Sequence, residues 1–167
     1  MVNTAEHIVR RVRKILETVK DPEIPVLSVM DLGIIRDILI QGDEIEVVIT
    51  PTYSGCPAMD VIALQIRMEL LANGFRNPKI TQSLSPAWTT AWMSEGGKKK
   101  LKEFGIAPPN EVQQVCDPKL FTPGEAVQCP HCNSWHTKRV SEFGSTACKA
   151  LYQCADCQEP FDYFKCH

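Results

Sequence analysis

Residues 44–66 read EIEVVITPTYSGCPAMDVIALQI, a strand, a turn and a helix in one stretch. Ile45, Val47 and Ile49 alternate with Glu44, Glu46 and Val48, the period-two pattern of a strand with one buried face. From Pro57 the pattern changes: apolar residues fall on nearly all sides through Ala72 and Gly74 offers a stop, so a central helix is expected over 57–72. Between the two elements, PTYSGC delivers a single thiol, Cys56, to the start of that helix.

Upstream, IIRDILI (34–40) is a second β-prone run, and Gln41-Gly42-Asp43 joins it to the first as a hairpin. Residues 4–20 place Ile8, Val9, Val12, Ile15, Leu16 and Val19 on one helical face, with Thr4 as N-cap and Asp21-Pro22 as the stop. DPEIPVLSVMDLG then reads as an extended, proline-punctuated loop carrying Asp21, Glu23 and Asp31. Downstream, KITQSL (79–84) supplies a third strand, giving an α-β-β-α-β order and an α+β or α/β domain. Ser94 can cap a short helix ending at Gly105 with its lysines facing solvent, and Pro108-Pro109 opens a linker. The expected division is therefore a domain over 1–109, a linker over 110–128 and a small module over 129–167.

That module holds two knuckles, Cys129-Pro-His-Cys132 and Cys154-Ala-Asp-Cys157. Two CxxC turns at this separation bring four thiolates around one tetrahedral ion, the arrangement of a zinc ribbon. About 40 residues are too few for a self-sufficient hydrophobic core, so the metal is expected to supply much of the folding free energy. Zinc in a structural role is the leading reading; iron or an iron-sulfur cluster suits the same four sulfurs. Cys148 and Cys166 flank the second knuckle, either as extra ligands for a second, labile centre or as small buried apolar residues. His131, His136 and His167 improve on none of the cysteines as ligands and read as exposed or packing residues.

Cys56 invites a different chemistry. With Pro57 as first helical residue it becomes the N-cap, its sulfur facing unsatisfied N–H groups, which would lower its pKa. Such a thiolate can bind metal, attack an electrophile or carry a persulfide; the plain alternative is a buried structural cysteine. His7, on the first helix, is the sole histidine before the linker, so a Cys-His hydrolase has little support. Asp21, Glu23, Asp31 and Thr52 are the candidate neighbours. Carboxylates beside a thiolate raise its pKa but complete a metal site, which favours transient metal handling over nucleophilic catalysis.

The formal net charge of −2 over 167 residues provides no basic field for nonspecific nucleic-acid or membrane binding. Residues 116–167 hold five Lys and Arg against six Asp and Glu, so the ribbon module has no basic face either. The N-terminal residues carry scattered charges and no uninterrupted apolar h-region, so a cytoplasmic location is expected, where cysteines serve as ligands or reactive thiols rather than disulfides. Trp88 and Trp92, four apart, share a face if helical, and either cover the sheet or form an aromatic patch that docks a partner.

The segments DPEIPVLSVMDLGIIRDI and TPTYSGCPAMDVI resemble the iron-sulfur assembly-type domain of SufT-like and cytosolic iron-sulfur targeting proteins, whose motif sets a cysteine after Thr-x-x-x and before proline, here Thr52 to Cys56-Pro57. With AWTTAWMSEGGKKKLKEFGIAPP, the two knuckles and the ending EPFDYFKCH, the whole chain is similar to the PaaD family of phenylacetyl-CoA epoxidase components. The resemblance implies an accessory component of the system that epoxidises the ring of phenylacetyl-CoA in aerobic phenylacetate degradation. Such a component is not itself catalytic but assembles or maintains an iron or iron-sulfur centre of an oxygenase or reductase partner. Carried over, the reactive cysteine is Cys56, the loop motif is Asp21, Glu23 and Asp31, and the metal ligands are Cys129, Cys132, Cys154 and Cys157. Two other readings stay open: a direct electron-transfer component with redox iron in the four-cysteine site, and a thiol enzyme using Cys56. A homodimer is compatible with the sequence.

Overall fold

The computed structural model of the chain describes residues 4–42, 44–109 and 127–165. These divide into two compact units, Met1–Trp88 and Thr89–His167. The boundary lies well before the expected one at 109, because Ile106 and Ala107 pair with a strand of the ribbon. Most of the expected linker lies outside the described residues, whereas Val127, at its end, is buried in the second unit.

The first unit has the anticipated α-β-β-α-β order: α1 (Thr4–Leu16), β1 (Ile35–Gln41), β2 (Glu44–Ile49), α2 (Ala58–Ala72) and β3 (Lys79–Gln82). β1 and β2 form the expected antiparallel hairpin. β3 joins the other side of β2 in parallel, Glu46 opposite Lys79 and Ile49 opposite Gln82. A parallel neighbour needs a crossover, and α2 provides it. Ile45, Val47 and Ile49 are all buried, as their alternation requires. Val12, Ile15 and Leu16 of α1 and Met59, Ile62, Ile66 and Leu70 of α2 complete the core.

Two local expectations change. α1 ends at Leu16 rather than at 20: Thr18 donates its N–H and its hydroxyl back to the Ile15 carbonyl, and Lys20 then bridges to Ser28. The segment 21–33 is not extended but wound into successive turns, because Ile24, Leu27, Val29 and Leu32 all have to reach the core. The Asp21 N–H donates to the Leu27 carbonyl at 3.0 Å and the Leu27 N–H to the Ile24 carbonyl at 2.9 Å. Trp88 is buried and donates its indole N–H to the Leu32 carbonyl at 2.9 Å, so it closes this loop from the far end of the unit's sequence.

In the second unit a short 3-10 turn (Thr90–Trp92) leads to α3 (Glu95–Glu103). Ser94 caps that helix as expected, its hydroxyl accepting the Gly97 N–H at 2.8 Å. Gly105 ends it at φ +89, a conformation suited to glycine. Trp88 and Trp92 thus share no helix face. β4 (Ile106–Ala107), β5 (Thr137–Ser141), β6 (Lys149–Cys154) and β7 (Pro160–Phe164) form one sheet in the order β4-β7-β6-β5. Its core is small: Ala107, Val127, Ala150, Tyr152, Phe161 and Tyr163 with Cys129 and Cys154. Tyr152 stacks on Phe161 at 5.9 Å and meets the edge of Tyr163 at 5.6 Å.

Candidate metal and thiol sites

The two knuckles are built alike. The Cys129 N–H donates to the Ser134 carbonyl at 2.8 Å, and the Cys154 N–H donates to the Glu159 carbonyl at 3.1 Å, five residues on in each case. In each, the residue after the second cysteine is left-handed: Asn133 at φ 62 and Gln158 at φ 65. This closure turns both cysteines of a knuckle to the same side.

The sulfurs of Cys129, Cys132, Cys154 and Cys157 all lie within 4.8 Å of one another. Cys129 Sγ is 3.8 Å from Cys157 Sγ, and Cys132 Sγ is 3.5 Å from Cys154 Sγ. A tetrahedron with metal–sulfur bonds of about 2.3 Å has edges of about 3.8 Å, so the four sulfurs fit one tetrahedral ion. Protons are poorly shared among them. The Cys157 N–H, ahead of opposing desolvation and then the Asp156 N–H, draws the Cys154 thiol down to about 7. The Glu159 N–H acts on Cys157 in the same sense but is overcome by desolvation and the three neighbouring sulfurs, which carry Cys157 up to about 12. Four thiolates so close together need a cation among them, and the N–H donors that orient the sulfurs would serve as its outer sphere.

Cys148 is buried apart from this group, its sulfur 3.0 Å from the Thr146 hydroxyl, and among the described residues it does not join the four. Cys166 and His167 lie outside the described residues. His131 packs beside Gly105, and His136 is exposed, its Nδ1 3.2 Å from Asp156 Oδ1. The reading of both as packing or exposed residues agrees with these positions.

Cys56 sits one residue farther from the helix than expected. Pro57, at φ −69 and ψ −19, takes the N-cap place of α2. The Cys56 N–H donates to the Tyr53 carbonyl at 3.2 Å, and its own carbonyl accepts from Met59 at 3.3 Å. The thiol is half-buried, and its pKa is raised, not lowered. Burial is the main cause; the Ala58 N–H opposes it, the charges of Glu23 and Asp21 reinforce it, and the Tyr53 hydroxyl opposes it more weakly. The resting form at neutral pH is therefore the thiol.

The charges of Glu23 and Asp21 thus act on Cys56. Asp21 also holds the turn, its Oδ1 accepting from the N–H groups of Glu23 at 2.8 Å and Ile24 at 2.7 Å. Asp31 instead faces its own loop: its Oδ2 accepts from the Ser28 N–H at 3.0 Å and the Ser28 hydroxyl at 2.9 Å. It does not figure among the influences on Cys56. Thr52 is half-buried in the turn before Cys56. Tyr53 is the neighbour that sequence reasoning passed over; the signal was its place three residues before the thiol, within one tight turn.

Comparison with known proteins follows this two-part layout. The family described as iron-sulfur cluster assembly protein matches residues 10–74, and the PaaD zinc beta ribbon domain matches residues 114–165. An Escherichia coli (strain K12) protein named as the D component of a 1,2-phenylacetyl-CoA epoxidase is 48% identical over 95% of this chain and 93% of its own. An Fe-S protein maturation auxiliary factor of Porphyromonas gingivalis is 40% identical over 60% of this chain and 92% of its own. A crystal structure of a Bacillus anthracis domain of unknown function, 24% identical, superposes with a TM-score of 0.55 over 57% of this chain and 92% of that one, which supports the fold of the first unit. With an assembly-type unit, a four-cysteine ribbon and near full-length similarity to the E. coli protein, the chain belongs to the PaaD family of phenylacetyl-CoA epoxidase components.

Proposed function

We propose that this chain is an accessory factor of the phenylacetyl-CoA ring-epoxidase system in aerobic phenylacetate degradation, and that it assembles or maintains an iron or iron-sulfur centre of a partner oxygenase or reductase through Cys56. The observation that carries the reading is the setting of that thiol: half-buried at a loop-to-helix junction, its pKa raised by burial first and then by the charges of Glu23 and Asp21. An acidic surround makes a poor nucleophile. It favours a cation, because a bound metal reverses the cost of the neighbouring carboxylates and displaces the thiol proton. Iron, or a small cluster, is here the cargo. The name of the P. gingivalis relative, a maturation auxiliary factor, supports the same role for the assembly-type unit. The four ribbon cysteines would hold zinc and fold the second unit, leaving Cys56 as the exchanging ligand.

The test is metal and acid-labile sulfide analysis of protein purified without oxygen from cells that also make the other epoxidase components. One zinc per chain that persists in Cys56→Ser, together with loss of epoxidase activity in cells carrying that variant, is the expected result. Full epoxidase activity with Cys56→Ser would overturn the proposal. Iron that is lost with Cys129→Ser and shows reversible redox absorption would move the chemistry to the ribbon and make the protein an electron carrier.

A further inference from the structure

The four sulfurs of the ribbon are not equally open to water. Cys129 and Cys154 are fully buried, whereas Cys132 is exposed and Cys157 half-buried. The second cysteine of each knuckle therefore lies on the solvent side of the group. Ligand exchange at a metal ion begins at the sulfurs that a competing ligand can reach, so an ion leaving the ribbon parts first from Cys132 and Cys157.

Beside each of these two cysteines the chain supplies one half of a bridge. Ser134 and His136 follow Cys132 by two and four residues, and Asp156 directly precedes Cys157. The Ser134 hydroxyl donates to Asp156 Oδ2, and Asp156 Oδ1 lies 3.2 Å from His136 Nδ1, so both carboxylate oxygens are engaged from across the site. The Ser134 oxygen accepts the His136 N–H at 2.9 Å, which leaves its own proton for the carboxylate. A backbone bond runs alongside, the Ala155 N–H donating to the His136 carbonyl at 2.7 Å. Ser134 is also the residue whose carbonyl takes the Cys129 N–H, so the bridge is anchored on the turn that aims the first knuckle's sulfurs. His136 and Asp156 are exposed and Ser134 is half-buried. Polar contacts at such exposure contribute little to folding. Their place across the two knuckles, next to the open sulfurs, is what gives them an effect on the ion.

We infer that Asp156 is a positioning residue for the ribbon metal: with Ser134 and His136 it latches the second knuckle to the first beside Cys132 and Cys157, and it sets how fast the ion is released. The latch presupposes that the four cysteines hold a metal ion, as proposed above. A slowly exchanging ribbon ion and an exchanging ligand at Cys56 can then coexist in one chain.

Full-length protein loaded with cobalt(II), whose absorption bands report the sulfurs around it, tests this when the ion is drawn off by an excess of a chelating dye. The expected result is release about fivefold faster in Asp156→Ala and in Ser134→Ala, with no further gain in the double variant, because either change opens the same latch. Asp156→Asn keeps an oxygen to accept the Ser134 hydroxyl and should recover part of the parent's slow release. The cobalt bands stay in place in every variant, since the four ligands are unchanged; a general fault in the ribbon would shift or weaken them. Release at the parent's rate in Asp156→Ala overturns the inference, as do additive effects of the two substitutions or displaced cobalt bands. A parent that shows no four-sulfur cobalt bands overturns the metal reading and the latch together, which tells the two failures apart.

Discussion

Asn133 and Gln158 occupy the same left-handed position, each directly after the second cysteine of its knuckle, at φ 62 and 65. Asparagine tolerates this conformation and glutamine does so less readily, so Gln158 carries strain of roughly 1 kcal/mol. Gln158→Gly should stabilise the metal-loaded ribbon by up to about 1 kcal/mol, and Gln158→Val should destabilise it by more than that. Chelator competition and urea melts of the loaded protein would register both. Equal behaviour of the two variants would mean that the turn is not strained.

Removal of the metal should unfold the ribbon and leave the first unit intact. The second unit's core is a few aromatic and aliphatic side chains with two of the ligands among them. Chelation should therefore abolish the near-UV signal of Tyr152 and Tyr163 while the buried Trp88 keeps its blue-shifted emission. Cys157, up at about 12 without metal, has to lose its proton on binding, and Cys154 at about 7 partly so. Affinity should accordingly fall as the pH drops from about 8 to about 6, as proton competition requires. Competition with a chelating dye at both pH values checks the sign.

The strand–turn–helix stretch and the two CxxC pairs were legible in the sequence because each is a local pattern: alternation at Ile45, Val47 and Ile49, and cysteines three apart. What was not legible depends on where other segments fold. No periodicity announces that Ile106 and Ala107 add a parallel strand to β7. The turns of 21–33 follow from four apolar residues seeking a core whose position the segment itself does not encode. The pKa of Cys56 was misjudged in direction for the same reason. The Ala58 N–H at the start of the helix does act on the sulfur in the expected sense, but burial, reinforced by the charges of Glu23 and Asp21, prevails over it.

Trp88 should hold the first unit's loop through one hydrogen bond. Its indole N–H reaches the Leu32 carbonyl at 2.9 Å inside the core. Trp88→Phe keeps most of the apolar volume and leaves that carbonyl without this donor, a loss of about 1–3 kcal/mol. Urea denaturation followed by far-UV circular dichroism would measure it, and a cost near zero would show that the indole acts by packing alone.

The reactivity of Cys56 with pH separates its neighbours from its burial. The thiolate attacks iodoacetamide and displaces iodide, so the alkylation rate follows the ionised fraction. In the parent protein the rate should inflect above the ordinary thiol value, because the folded pKa is raised by burial first and by Glu23 and Asp21 next. Asp21→Asn keeps an acceptor for the Glu23 and Ile24 N–H groups while removing a charge, and Glu23→Gln removes the other. The double variant should shift the inflection to lower pH, yet leave it above the ordinary value, since burial persists. It should also bind ferrous iron more weakly than the parent, as the cation loses the two charges that attract it. Faster alkylation with undiminished iron binding would dissociate the carboxylates from metal handling and leave Cys56 to act alone.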